Sequence, residues 1–395
     1  MSWTVIILSV PGALLLIWNL LWLLELLAAL LRHPRESIAS AQAVNALDYT
    51  VLIPAHNEAS VIANTLASLS RQLDDRGSVL VVADNCTDNT AELAQASGAR
   101  VIERFDSDRR GKGYALRCGL ELLAEAPPEI VVVLDADCRF DCGALHQLVA
   151  CANKRRCPVQ CDYRMRVGRG ESLSRRVAHF AWRVKNSVRP GGLSRLAMPC
   201  QLTGTGMAFP WECIDAQDIP VSSIVEDMVL GVNLARRNQF PSFLRDAVVS
   251  SEFPETASAE RSQRERWEHG HLATITEIVP KTLMQALRDR NWRLAALCVD
   301  LSIPPVSLLA ALNFIYFVIA ACQYWIAGTG GLLYLSMIAC GLLAFAVVAA
   351  WWQCGRDLLG PLELLRIPAY IVQKLSVYTG FFTKRQGEWI RTARK

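Results

Sequence analysis

Hydrophobic positions along this chain follow three successive patterns. Residues 3–31 form one Leu-rich apolar run interrupted by a single charge, Glu25. The run exceeds the ~20 residues that a membrane-crossing helix needs. It lacks a basic leader and a small-residue cleavage signal, so a retained anchor is expected rather than a signal peptide. From residue 48 the pattern changes to short β-branched runs alternating with helical periodicity. Residues 48–58 predict a strand ending in a polar turn. Residues 59–70 follow with Val61, Ile62, Leu66 and Leu69 at near-helical spacing. Residues 78–83 predict a second strand, ending at Asp84-Asn85-Cys86-Thr87-Asp88. Thr87 or Asp88 can cap a helix over 89–97, and Gly98 suits the position after its end. Residues 100–103 predict a third strand, and Gly111-Lys112-Gly113 opens a helix to about Ala124. Pro127-Pro128 stops any helix before the β-branched run 130–134, which suits a strand buried on both faces.

The third pattern begins near residue 293. Residues 293–302 predict an interfacial helix, and 306–326 and 332–352 two spans separated by a glycine-rich turn. Residues 358–382 are amphipathic, interrupted by Glu363, Arg366, Pro368 and Lys374. The predicted organisation is therefore an N-terminal transmembrane anchor (1–35), a linker (36–47), a folded domain (48–280) and a C-terminal membrane region (293–395). The β-α-β-α-β-α-β order argues for an α/β fold with a mostly parallel sheet and helices on both faces.

Three polar clusters fall at strand ends: His56/Asn57/Glu58, Asp84 and Asp135/Asp137. In a parallel sheet these ends share one edge, where ligands collect. Two carboxylates at i, i+2 are costly if buried without a cation. An oxygen-rich site of this kind suits Mg2+ or Mn2+ carrying a diphosphate. Solvated loop aspartates and helix caps are the plainer reading of any one cluster. Three of them beside a Gly-Lys-Gly turn favour a nucleotide crevice.

Composition sharpens this in three respects. Hydrophobic residues make up 52% and the mean hydropathy is +0.23, with the apolar excess at the two ends, as expected for a folded domain between membrane anchors. The net charge of +4 decides little, but twelve Lys/Arg lie between 154 and 195 against Asp162 and Glu171. That belt suits phosphates or anionic headgroups. It lacks an interleaved aromatic platform, which argues against nucleic acid. The thirteen cysteines include no CxxC pair, and no Cys/His set completes a zinc site, so reduced cytosolic thiols are expected. Arg32, His33 and Arg35 follow the first span, which by the positive-inside rule places residue 32 onward in the cytoplasm. Arg356 and five basic residues in the tail 384–395 extend this to three crossings and an in-plane final helix.

Here a resemblance becomes specific. The stretches VLIPAHNE (51–58), VVADNCTDNT (81–90), GKGYAL (111–116) and VVLDADC (132–138) resemble the family 2 glycosyltransferases of GT-A fold. QLTGTGMAF (201–209), IVEDMVLGVNLARRN (224–238) and QRERW (263–267) resemble the membrane-integrated branch that includes cellulose, hyaluronan and chitooligosaccharide synthases. The resemblance covers residues 48–280 and implies that this is a cytoplasmic GT-A domain. It implies that Pro54, Ala55, His56 and Glu58 line a nucleoside pocket and that Asp84 bonds the base. Asp137 would bind the metal directly, with Asp135 near the ribose or the metal. Lys112 would face the diphosphate, although a solvated lysine at a helix start is a close alternative. Asp227 would be the general base for the acceptor hydroxyl, implying inversion, with Glu226 structural. Gln263, Arg266 and Trp267, at i, i+3, i+4, would bring a guanidinium fork and an indole face to the site. Thr203–Gly206 would let backbone approach the acceptor. His269 and His271 are expected in a supporting role or at the surface. Cys138 departs from several synthases, which carry His there.

The implied function is a membrane glycosyltransferase moving a sugar from a nucleotide-diphosphate donor, a UDP-sugar, to a saccharide or lipid-linked acceptor. Polymer synthesis, single addition to a glycolipid and a non-catalytic membrane scaffold remain the alternatives, with a homo-oligomer or an export partner as possible company.

Overall fold

β-branched runs between turn residues become strands, and the first four fall where the sequence pattern predicts them. The computed structural model describes residues 3–31, 47–168, 170–221, 223–254 and 256–383. The strands are β1 (Tyr49–Ala55), β2 (Gly77–Asp84), β3 (Arg100–Arg104), β4 (Ile130–Val133), β5 (Arg139–Phe140), β6 (Val159–Met165), β7 (Met207–Pro210) and β8 (Ser242–Ser251). They form one eight-stranded sheet in the order β3-β2-β1-β4-β7-β6-β8-β5. The pairs β1–β2, β2–β3, β1–β4 and β6–β8 are parallel, whereas β7 runs antiparallel to both β4 and β6, and β5 to β8. The sheet is thus mixed and mostly parallel, in the α/β class.

The helices Ile62–Ser70, Thr90–Ala96 and Lys112–Leu123 connect the parallel strands. Asp88 accepts from the Thr90 N–H, and Gly98 takes φ +85° just past the end of that helix. Leu52, Leu80, Val82, Val131 and Val133 of the sheet pack with Leu116, Leu120 and Leu230 of helices in one buried cluster. At ~25 cal/mol per Å2 of apolar surface, each fully buried Leu or Val contributes about 1.5–3 kcal/mol.

The described chain divides into two compact units. One contains residues 47–166 and 197–298, and so holds the whole sheet. The other contains residues 3–31, 167–196 and 299–383. The segment 167–196, which the sequence reading leaves inside the 48–280 domain, therefore groups with the apolar helices. In that second unit Trp3–Ala28, Val306–Ala327 and Gly331–Cys354 are helices, and the windows Val5–Ala28, Val306–Ala327 and Gly331–Cys354 are long and apolar enough to cross a membrane. Residues 358–382 resolve into a 3-10 turn, Pro361–Arg366, and a helix, Ile367–Thr383. The basic flank Arg32/Arg35, the linker 36–46 and the tail 384–395 lie outside the described residues.

Several buried polar groups in this second unit pair with one another. Asn19 donates to Asn313 Oδ1 and to the Ala339 carbonyl, both at 2.9 Å. Glu25, the one charge of the first apolar run, meets Arg189 at 2.6 Å, and Arg189 reaches Asp300 at 2.6 Å. All three are buried. A Cβ at Gly192 would sit 1.9 Å from the Glu25 carbonyl oxygen, so this approach requires glycine. The basic belt is largely paired within the protein: Arg155 donates to Ser242 and the Phe243 carbonyl, Arg164 pairs with Asp162, Arg176 with Glu363 and Arg183 with Asp357.

Candidate active site

Parallel β1 and β2 end level with one another, since Ala55 pairs with Ala83, and β4 ends at Val133 opposite Leu52, so that the residues after it continue toward the same edge. Their carboxyl ends therefore place Pro54, Ala55 and His56, then Asp84, then Asp135 and Asp137 along one edge, as open α/β sheets do for ligands. At the nucleoside end, His56 Nδ1 lies 2.6 Å from the Asp84 carbonyl oxygen. Asp84 is buried and receives Arg104 Nη1 at 2.6 Å and Asn85 Nδ2 at 3.0 Å on one carboxylate oxygen. The Glu58 N–H donates to Thr90 Oγ1, tying the turn after β1 to the helix after β2. Asn57 and Asn85 both take positive φ, near 55° and 50°, in these turns. Asparagine tolerates that region better than most residues.

At the diphosphate end, Gly111 at φ 126° starts the helix Lys112–Leu123 and directs Lys112 inward. Its Nζ lies 2.6 Å from Asp135 and 3.7 Å from Glu226, and donates to the Gly204 carbonyl at 2.8 Å. Burial opposes its charge, but Asp135, Glu226 and Asp227 together hold its pKa above the ordinary lysine range. Lys112 is thus an internal cation and not a solvated helix-start residue. Burial pushes the Glu226 carboxyl up to about 7 despite Lys112, and the adjacent Asp227 adds to the rise. Glu226, read as structural from the sequence, is a member of the charged cluster.

The ligand atoms of Asp135, Asp137 and Cys138 lie within 4.8 Å of one another. Two carboxylates this close, balanced by one lysine, fit a divalent cation, and their oxygens suit Mg2+ or Mn2+. The Cys138 Sγ is 3.6 Å from Asp137 Oδ1. Burial, then Asp137 and Asp135, raise that thiol well above its usual pKa, so it is protonated near neutrality.

Asp227 stands in the first turn of the helix Glu226–Arg236, where its Oδ1 accepts from the Met228 N–H at 2.8 Å. A Cβ on Gly204 would come within 3.2 Å of its other oxygen, Oδ2. Gly204, at φ +87°, thus keeps backbone close to the proposed base. Gln263, Arg266 and Trp267 lie half-buried on the helix Ala257–Ala273. Burial lowers the Arg266 pKa, and the charge of Glu226 partly restores it, which ties this helix to the acidic cluster. His269 and His271 are buried rather than at the surface.

The sequence reading missed the supports of this site. Thr205 Oγ1 accepts from the Asp135 N–H, and Gln160 holds the 203–206 loop. The alternation of polar Gln160 with apolar Val159, Cys161 and Tyr163 was the available signal.

Residues 46–270, more than half of the chain, match the family described as "Glycosyltransferase like family 2". The probable glycosyltransferase YdaM of Bacillus subtilis is 25% identical over 241 residues, covering 58% of this chain and 56% of that protein. Glycosyltransferase AglD of Haloferax volcanii is 32% identical over 125 residues, covering 30% of this chain and 20% of its own length. The chain thus spans from a fifth to just over half of these curated relatives. Among solved structures, the mannosyltransferase PcManGT from Pyrobaculum calidifontis, in complex with GDP-Man and Mn2+, superposes with a TM-score of 0.51 at 19% identity. That match covers 88% of this chain and 99% of that one, and it shares the fold. The matched domain together with the GT-A-like architecture establishes that this chain belongs to the family 2 glycosyltransferases.

Proposed function

We propose that this protein is a membrane-embedded, inverting glycosyltransferase that moves a hexose from a UDP-sugar to a saccharide or lipid-linked acceptor. The observation that carries the reading is the convergence of Lys112, Asp135, Glu226 and Asp227 on one loop, Thr203–Gly206, beside Asp137. These residues come from three separate elements, and their charges are opposed within a few ångströms. A divalent cation held by Asp137 and Asp135, when bound, supplies Lewis-acid neutralisation of the donor diphosphate. Lys112 adds a fixed positive charge on the same side. The strand-end residues Pro54, Ala55, His56, Glu58 and Asp84 orient the nucleoside. Asp227 accepts the proton of the acceptor hydroxyl as that oxygen attacks the anomeric carbon, the bond from that carbon to the diphosphate oxygen breaks, UDP leaves with the electron pair, and this one in-line displacement inverts the centre. Arg266 offers a fork to phosphate oxygens, Gln263 a polar contact and Trp267 an apolar face for a sugar ring.

The membrane-integrated reading is supported by three helices of spanning length and hydropathy. The basic flanks Arg32, Arg35 and Arg356 favour a cytoplasmic catalytic domain. Three spans are few to enclose a sugar-conducting channel, which favours a single addition over polymer synthesis unless copies associate. The test is incubation of native membranes with a panel of sugar nucleotides, followed by sizing of the product. A product one sugar larger than the acceptor supports the reading, a ladder supports polymerisation, and no turnover of any donor overturns it.

A further inference from the structure

We infer that Gln160 is a positioning residue, which through the Thr203–Gly206 loop fixes both the metal-side carboxylate Asp135 and the diphosphate-side cation Lys112. The inference rests on the donor-site reading above. Gln160 faces Met207 on β7, which in turn faces Val133 on β4. The start of β7 therefore runs directly beside the end of β4, and what holds one holds the other.

Gln160 is 1% exposed, and both ends of its amide are engaged. Its Oε1 accepts from the Thr203 N–H at 2.9 Å. Its Nε2 donates to the carbonyls of Thr205 at 2.9 Å and Gly206 at 3.4 Å, and to that of Cys161 at 2.9 Å. One side chain thus ties down both ends of the four-residue loop. The loop cannot hold this course by itself, because Gly204 and Gly206 both sit at positive φ. Gly206 is pinned from below, since a Cβ there would meet Cys161 Sγ at 2.2 Å.

The loop passes this restraint to the site at two points. Thr205, fully buried, accepts the Asp135 N–H on its Oγ1 at 3.0 Å, which sets the backbone from which both metal-side carboxylates project. The Gly204 carbonyl accepts Lys112 Nζ at 2.8 Å. Hydrocarbon in place of the Gln160 amide would leave the Thr203 N–H and the Thr205 carbonyl without their present partner. The loop would then be free to move, and Asp135 and Lys112 would lose their common reference.

The test measures Mn2+ affinity by electron paramagnetic resonance on the full-length protein in detergent, with UDP present. Gln160→Met and Thr205→Val are expected to weaken Mn2+ binding by about 10–100-fold, the range for losing a partner that orients a metal ligand. Thr205→Ser, which keeps the hydroxyl, is expected to retain wild-type affinity. Wild-type Mn2+ affinity in Gln160→Met overturns the inference and leaves the donor-site reading standing. Failure of the wild-type protein to take up Mn2+ overturns that reading, and the inference with it. Should Gln160→Met not fold, the Thr205→Val and Thr205→Ser pair decides: equal affinities for the two overturn the inference.

Discussion

Asp227 and Trp267 stand on different helices and would serve the acceptor by different physics. A general base acts only as the proton moves, so Asp227→Asn is expected to bind UDP normally and to lose transfer by ~10²–10⁴-fold. An aromatic face acts on the bound sugar. Trp267→Ala is therefore expected to raise the acceptor concentration needed, and Trp267→Phe to recover part of the loss. Calorimetry with UDP beside transfer rates separates the two, and wild-type transfer by Asp227→Asn would move the base elsewhere. Asp137 is the sharper case. Its carboxylate lies in the one group of metal-ligating side chains found among the described residues. Asp137→Asn should all but abolish turnover, and EDTA should silence the wild type until Mn2+ or Mg2+ is restored. Full activity after metal stripping would refute a metal-assisted reaction.

Elements show where the sequence was legible. β1, β2 and β4 were readable because parallel strands buried on both faces leave continuous β-branched runs. β6 was missed although Val159, Cys161, Tyr163 and Met165 alternate with polar Gln160, Asp162 and Arg164. Gln160 and Asp162 of its polar face are buried, answered by the 203–206 loop and by Arg164, so alternation there did not mark a solvent face. The pairing of Glu226 with Lys112 was not legible because the two are 114 positions apart in sequence. The same holds for Glu25, whose partner Arg189 stands in the segment 167–196. Removing one member of a buried ion network strands the others, so Arg189→Met is expected to cost about 3–5 kcal/mol in unfolding free energy. A melting temperature unchanged from wild type would show that the network adds nothing. In the same segment, His179 is buried against Glu171, and burial lowers its pKa below 6.5 despite that carboxylate. Its contribution is therefore complete above the unfolded value of 6.5 and is lost as pH falls through the lower folded value. Thermal stability should decline on acidification below about 6.5, and His179→Asn should flatten that decline; an unchanged slope would assign it to other groups.

At the scale of the whole molecule, the chain leaves the sheet-bearing unit after β6, contributes 167–196 to the unit of apolar helices, and returns for β7. Reporter fusions are expected to place both residues 48–280 and Lys395 in the cytoplasm. An external C-terminus would mean that residues 358–382 cross the bilayer and that the crossings number four. This threading also has a consequence for biosynthesis. Glu25 and Arg189 are separated by 164 positions, and Arg189 and Asp300 by a further 111. At ~5–20 residues per second, the first helix waits roughly ten to thirty seconds at the ribosome before its counter-ion has been made. In the proposed membrane reading it is, throughout that interval, a hydrophobic segment carrying an unanswered acid near the end of its apolar window, Val5–Ala28. In that reading, the ion network that answers Glu25 is complete only when the later part of the chain has emerged. A nascent chain arrested short of residue 189 would be held as a marginal anchor, the kind of intermediate that insertion chaperones shelter and membrane proteases remove.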